Sequence, residues 1–253
     1  MRNDIMGVLF DNLTLAEAVD AGERLAAGPG FAYVVFLREG GAHYVVTPNP
    51  EIVNLARQRE DYRQVLNGAG LVLPDGIGVI HAAKILGTPL QERVPGIDFA
   101  SGLLTRLAQT GGRLFLLGAK PGVADQAADN LRKTYPGLTV CGTHHGYFQE
   151  DGPVVEAIRQ AQADVVFVCL GAPKQEVWMA QHGPATGAHL MVGLGGVLDV
   201  YAGHVKRAPA AWQKLGLEWC YRLLHQPSRI GRMAKLPGFL VAAAGEKRKR
   251  GKP

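Results

Sequence analysis

Short apolar runs that stop abruptly at Gly, Pro or a polar residue, each followed by a helical stretch, recur along most of this chain. No other feature restricts its fold so tightly. Tyr44-Val45-Val46 ends at Thr47-Pro48-Asn49-Pro50, and Leu71-Val72-Leu73 ends at Pro74-Asp75-Gly76. Arg113 to Leu117 ends at Gly118, Asp164 to Leu170 at Gly171, and His189 to Val192 at Gly193. Strands apolar on both faces and separated by helical spans build βαβ units, and such units stack into a parallel sheet covered on both sides. Two further strands are expected around Ala32 to Leu37 and Leu138 to Cys141.

Helix starts carry their own signals. Thr14-Leu15-Ala16-Glu17 has capping-box spacing, which predicts a helix from about Leu15 to Leu25. Asn49-Pro50-Glu51 reads as an N-cap, a Pro at the first helical position and an acid in the first turn. Further helices are expected over Ile77 to Leu86, Phe99 to Gln109 and Val154 to Gln162. The reading is an α/β, Rossmann-like body with a largely parallel sheet flanked by helices, covering residues 1 to about 203.

Beyond Pro209 the pattern changes to helices alone, with Trp212, Leu215, Trp219 and Leu223 at three-to-four spacing. Residues 204 to 253 carry six Lys and six Arg against only Glu218 and Glu246, a net +10. The whole chain is +5, so the first 203 residues carry −5. An acidic body with a basic helical appendage points to an anionic partner: membrane phosphates, nucleic acid or nucleotide phosphates. The appendage is read either as an interfacial membrane helix or as a terminal helix docked on the core.

Several classes are excluded. Cys141, Cys169 and Cys220 are too few for a disulfide framework and have no zinc-ligand spacing. Met1-Arg2-Asn3-Asp4-Ile5 has no apolar signal-peptide core, and no run of about 20 apolar residues marks a spanning helix. A cytoplasmic chain, peripheral at the inner face of the membrane, is expected. Gly193-Leu194-Gly195-Gly196-Val197-Leu198 breaks the dinucleotide fingerprint, and Gly118 to Gly122 lacks the Walker ending. No cofactor and no metal site are expected; His144-His145 lacks further ligands nearby.

An acid on a Pro/Gly turn at the end of a buried strand lies where open α/β sheets hold their chemistry. Asp75 is therefore the leading catalytic candidate, with Thr47 at the second strand end facing the same crevice. Asn49, Gly76 and Gln175 are candidate substrate contacts. The chain contains no Asp-x-Asp pair, the usual clamp for a metal-bound nucleotide diphosphate. Lys206, Arg207, Arg222, Arg229 and Arg232 are the candidate cations to neutralise a leaving diphosphate. Asp98 is expected to cap a helix, and Asp199 is either a site carboxylate or a cap.

The ordered blocks Thr47-Pro48-Asn49-Pro50-Glu51, Pro74-Asp75-Gly76-Ile77-Gly78, Pro95-Gly96-Ile97-Asp98, Gly142-Thr143-His144-His145-Gly146-Tyr147-Phe148, Gly171-Ala172-Pro173-Lys174-Gln175-Glu176 and Lys206-Arg207-Ala208-Pro209 resemble the WecG/TagA/CpsF glycosyltransferases. Leu217-Glu218-Trp219, Tyr221-Arg222-Leu223 and Arg229-x-x-Arg232 extend the resemblance into the appendage. It implies an inverting transferase that moves N-acetylmannosamine from its UDP donor to the 4-hydroxyl of GlcNAc on undecaprenyl diphosphate, in wall teichoic acid or related cell-surface polysaccharide synthesis. It further implies Asp75 as the base, Thr47 as its assistant, and Arg222, Arg229 and Arg232 in an appendage that closes the site at the membrane. Donors such as UDP-N-acetylmannosaminuronate or UDP-glucose are alternatives. A non-catalytic nucleotide or nucleic-acid binding module is the rival from another class, and an oligomer is left open. On the reading adopted, the partners are the UDP-sugar, the lipid acceptor and the membrane surface, with no nucleic acid.

Overall fold

The computed structural model describes residues 1–28, 43–209, 212, 220–221 and 236–250. The expected strand at 32–37 lies outside them, as does most of the 212–223 helical pattern.

The chain opens with an antiparallel hairpin, β1 (Arg2–Ile5) and β2 (Val8–Asp11), turning at Met6 and Gly7. Helix α1 (Leu15–Ala26) follows, and its capping box forms: Thr14 Oγ1 accepts from the Glu17 amide at 3.3 Å, and the Glu17 carboxylate accepts from the Thr14 amide at 2.8 Å. Next come β3 (His43–Val46), α2 (Pro50–Gln58), α3 (Glu60–Asn67), β4 (Leu71–Val72) and α4 (Ile77–Leu86). Helix α5 (Gly96–Thr110) leads into β5 (Arg113–Gly118), α6 (Val123–Thr134), β6 (Thr139–His144) and α7 (Asp151–Gln160). The body closes with β7 (Val165–Cys169), α8 (Lys174–Thr186), β8 (Leu190–Gly193) and α9 (Val197–Tyr201); the last described helix is α10 (Leu236–Arg250).

Six strands form one sheet in the order β4-β3-β8-β7-β5-β6, every neighbouring pair parallel. The α/β class and the flanking helices are as the sequence implied. Because successive strand residues face opposite sides, the sheet feeds two cores. Val46, Val72, Phe115, Val166 and Met191 pack with α2, α3, α4, α7, α8 and the hairpin. Val45, Leu71, Leu114, Phe167 and Val192 pack with α1, α5, α6 and α9. Two elements were not anticipated. The hairpin escapes notice because Arg2, Asn3 and Asp4 hide the alternation that buries Ile5, Val8 and Phe10. Helix α3 offers only Tyr62 and Leu66 as its buried face.

The route of the chain creates a crevice. From β3 it passes to α2 on one face; from the adjacent β8 it passes to α9 on the other. Two neighbouring parallel strands whose connections leave in opposite directions open a gap above their carboxyl ends.

Helix α10 docks on α4 and α2, with Phe239 and Ala243 fully buried against them. Gly78 of α4 makes this approach close: a Cβ there would lie 2.5 Å from Leu236 Cδ1 and 2.7 Å from Pro50 Cγ. Phe239 is thus the anchor of α10. Phe239→Ala is expected to lower stability by about 3 kcal/mol, read as a shifted midpoint in urea unfolding.

Candidate active site

The crevice is a cleft of about 540 Å³ above the ends of β3, β4 and β8. Thr47, Asn49, Asp75, Gly76, Gln175, Lys206 and Arg207 all line it. Seven candidates from four separate stretches of sequence therefore converge on one surface. Arg222, Arg229 and Arg232 lie outside the described residues.

Thr47 directly follows β3 and is 9% exposed. Its hydroxyl donates to the Gly193 carbonyl at 3.2 Å, bridging the ends of β3 and β8. A hydroxyl has one proton and two lone pairs, so with its proton committed Thr47 can only accept from a ligand. Asp75 is half-buried, and its amide donates to the Pro48 carbonyl at 3.2 Å, tying the turn after β4 to the turn after β3. Gly76 completes this turn at φ 99°, ψ 137°, a conformation that a Cβ makes strained. Asn49 caps α2: its Oδ1 accepts from the amides of Glu51 at 2.9 Å and Ile52 at 3.0 Å. That leaves its NH₂ as the part available to a substrate.

Gln175 is 3% exposed and spans two structural elements. Its Nε2 donates to Glu176 Oε1 at 2.7 Å, and its Oε1 accepts from the Gly195 amide at 2.9 Å. Arg207 grips Asp98 with both guanidinium ends, at 2.6 and 2.7 Å. Asp98 was expected as a helix cap; instead Pro95 occupies the N-cap of α5 and the carboxylate of Asp98 holds the first residues after the body. Asp199 lines the cleft from the first turn of α9.

Three features were missed. Arg93, just ahead of the Pro95-Gly96 helix start, lines the cleft, as does Leu236 of α10. The helix termini form the third: α4, α5 and α8 begin at the cleft with no side-chain cap on their first turns. Uncapped N–H groups and the positive end of the helix dipole favour an anion such as a phosphate. Pairing of an abrupt strand stop with an unblocked helix start was the available signal. Beside the cleft, sharing Glu51, Asn54 and Leu55 with it, a groove of about 470 Å³ runs between α2 and α10, walled by Leu55, Phe239 and Ala242.

His144 and His145 lie elsewhere, at the end of the edge strand β6, where the His144 ring meets Phe148 edge-on at 5.8 Å. Burial pushes the Cys169 thiol up to about 12, so it is a neutral packing group. Among the described residues, no group of three or more His, Cys, Asp and Glu could hold a metal ion, and no helix is long and apolar enough to cross a membrane.

An acid and a hydroxyl over parallel strand ends, in a cleft whose rim favours anions, suit an α/β enzyme that handles a phosphorylated substrate, and kinship gives the class as a glycosyltransferase. The chain belongs to the Glycosyl transferase WecG/TagA/CpsF family, whose profile matches residues 3–253. It is 38% identical over 247 residues to the N-acetylglucosaminyldiphosphoundecaprenol N-acetyl-beta-D-mannosaminyltransferase of Staphylococcus aureus strain MW2, covering 97% of this chain and 93% of that protein. It is 37% identical over 218 residues to the enzyme of the same name from Bacillus spizizenii, covering 86% of this chain and 85% of that protein.

Glu176 is 1% exposed, and burial raises its pKa above the usual 4.5 against the opposing hydrogen bonds from Gln175 and Tyr62. A folded-state pKa above the unfolded one means that the stability from this group is complete below the unfolded value and is lost as pH rises through the folded value. Glu176→Gln removes that titration. In thermal melts at stepped pH, the wild type is expected to lose stability relative to the variant across this window and to be the less stable of the two at neutral pH.

Proposed function

We propose that this protein is an inverting glycosyltransferase that moves N-acetylmannosamine from UDP to the 4-hydroxyl of GlcNAc-diphosphoundecaprenol, forming a β-1,4 link in wall teichoic acid linkage-unit or related cell-surface polysaccharide synthesis. The observation that carries it is the convergence of Thr47 and Asp75 in one anion-favouring cleft, in a chain 38% identical to a transferase of that name.

Inversion by single displacement needs a base on the acceptor side and charge stabilisation on the leaving side. Asp75 takes the proton of the acceptor hydroxyl as the new bond forms. Thr47, able only to accept, cannot share that proton and instead orients the substrate by accepting from a neighbouring O–H or N–H of the bound sugar. Around the same cleft, the N–H groups that open α4, α5 and α8, with Arg93 and Lys206, receive the leaving UDP. Arg207 contributes less to that charge, since Asp98 already neutralises it. Arg222, Arg229 and Arg232 of the appendage, residues 204–253, complete the leaving side.

The apolar groove beside the cleft suits the isoprenoid chain of the acceptor. Helix α10 supports a peripheral position on the inner face of the membrane: it exposes Val241 and ends in Lys247, Arg248 and Lys249.

Asp75→Asn is expected to cut kcat by about a hundredfold or more with the circular dichroism spectrum unchanged, assayed with UDP-N-acetylmannosamine and a prenyl-diphosphate-GlcNAc acceptor. Retention of most of the activity removes Asp75 as the base. Ala242→Arg, in the groove, is expected to raise KM for a long-chain acceptor about tenfold while leaving a short-chain acceptor within about twofold. Equal effects on both acceptors remove the groove from the reading.

A further inference from the structure

Glu176 has no part in the transfer step, yet it is the only acid among the buried polar side chains of the described residues. No cation pairs with it there; its two partners are neutral, Gln175 Nε2 at 2.7 Å and the Tyr62 hydroxyl at 2.9 Å. Burial also raises the pKa of Tyr62, so its hydroxyl stays a proton donor. A buried carboxylate without a cation costs folding stability. Its value must lie in what it does to its neighbours.

The side-chain amide of Gln175 has an oxygen end and a nitrogen end of nearly equal shape and opposite polarity. Glu176 Oε2 accepts from Tyr62 and Oε1 stands as the acceptor towards Gln175, so Glu176 admits the NH₂ end and rejects the carbonyl. With the nitrogen held there, Gln175 Oε1 faces the Gly195 amide at 2.9 Å. Turned the other way, the amide would set a donor against the Gly195 donor and lose the bond. Gly195 sits at φ 57° in the turn after β8, and two residues earlier the Gly193 carbonyl receives the Thr47 hydroxyl at 3.2 Å. A continuous path therefore runs from Tyr62 in α3 through Glu176 and Gln175 in α8 to the turn that orients Thr47.

We propose that Glu176 is a positioning residue whose carboxylate selects the orientation of the Gln175 amide and so pins the Gly193–Gly196 turn and, through it, the hydroxyl of Thr47. The kinetic consequence rests on the glycosyl-transfer reading; the pinning of the turn does not. In the selected orientation one N–H and one lone pair of Gln175 remain for a cleft ligand, which matches a sugar hydroxyl, itself one donor and an acceptor.

The test joins amide hydrogen exchange at Gly195, read by NMR, with steady-state kinetics and melting of the full chain. Glu176→Leu is expected to speed exchange at Gly195 about tenfold or more and to lower kcat about 10- to 100-fold, with the donor KM changing less and changes in melting temperature not following the loss of activity from variant to variant. Glu176→Gln keeps an acceptor for Gln175 and is expected to recover most of both effects, leaving each within about threefold to tenfold of wild type; Tyr62→Phe removes one donor and is expected to shift Gly195 exchange about threefold. Wild-type exchange at Gly195 in Glu176→Leu overturns the proposal, as does a loss of melting temperature that tracks the loss of activity through all three variants. Should Glu176→Leu not fold, wild-type exchange at Gly195 in both other variants overturns it equally. If the exchange pattern appears but the wild type transfers no sugar from UDP-N-acetylmannosamine, the transfer reading fails while the pinning of the turn is upheld.

Discussion

The parallel pairing of β3 with β8 is the constraint from which the rest of this molecule follows. Both strands are buried on both faces, so each must be covered by helices, and the chain leaves one strand upward and the other downward. The gap between those departures is the cleft. The Thr47-to-Gly193 hydrogen bond spans it at its base, and every other part of the site is measured from that bond. Parallel strands also bring helix starts to the same end of the sheet, so the same topology that opens the cleft lines its rim with helix N-termini that no side chain caps.

Charge is distributed less simply than the balance of +10 against −5 suggests. The first cation after the body that comes under firm control, Arg207, is spent on Asp98, and that bidentate pair fixes where the appendage departs. Besides Arg207, the described features of the cleft that suit an anion are the helix termini and the side chains of Arg93 and Lys206. Glu176 is the contrasting case: a buried acid with no cation beside it among the described residues, held by two neutral donors, the Gln175 amide and the Tyr62 hydroxyl.

Helix α10 joins the two regions. Phe239 and Ala243 bury it against α4 and α2, which places Leu236 in the wall of the cleft and Ala242 in the wall of the groove beside it. The close approach at Gly78 permits this packing. A segment distinguished in the sequence by its basic charge is thus attached to the body through its apolar face, and the charge is left at its far end.

Periodicity and stop signals, which are local, were enough to read the parallel α/β architecture, the capping box at Thr14, the cap at Asn49 and the strand-end positions of Thr47 and Asp75. Local signals fail where a residue's partner is remote in sequence. Asp98 has the spacing of a cap and Glu176 that of an ordinary first-turn acid, because nothing near them in the chain reveals Arg207 or Tyr62. Arg93 carries no pattern at all until the loop between α4 and α5 brings it to the crevice. The sequence by itself determined which elements form and at which end of the sheet the chemistry collects, since hydrophobic alternation and turn residues act over a few positions. Only the tertiary structure decided which charges meet, which helix ends stay uncapped and which way the Gln175 amide faces, because those outcomes depend on distances between elements that the chain joins through other parts of the molecule.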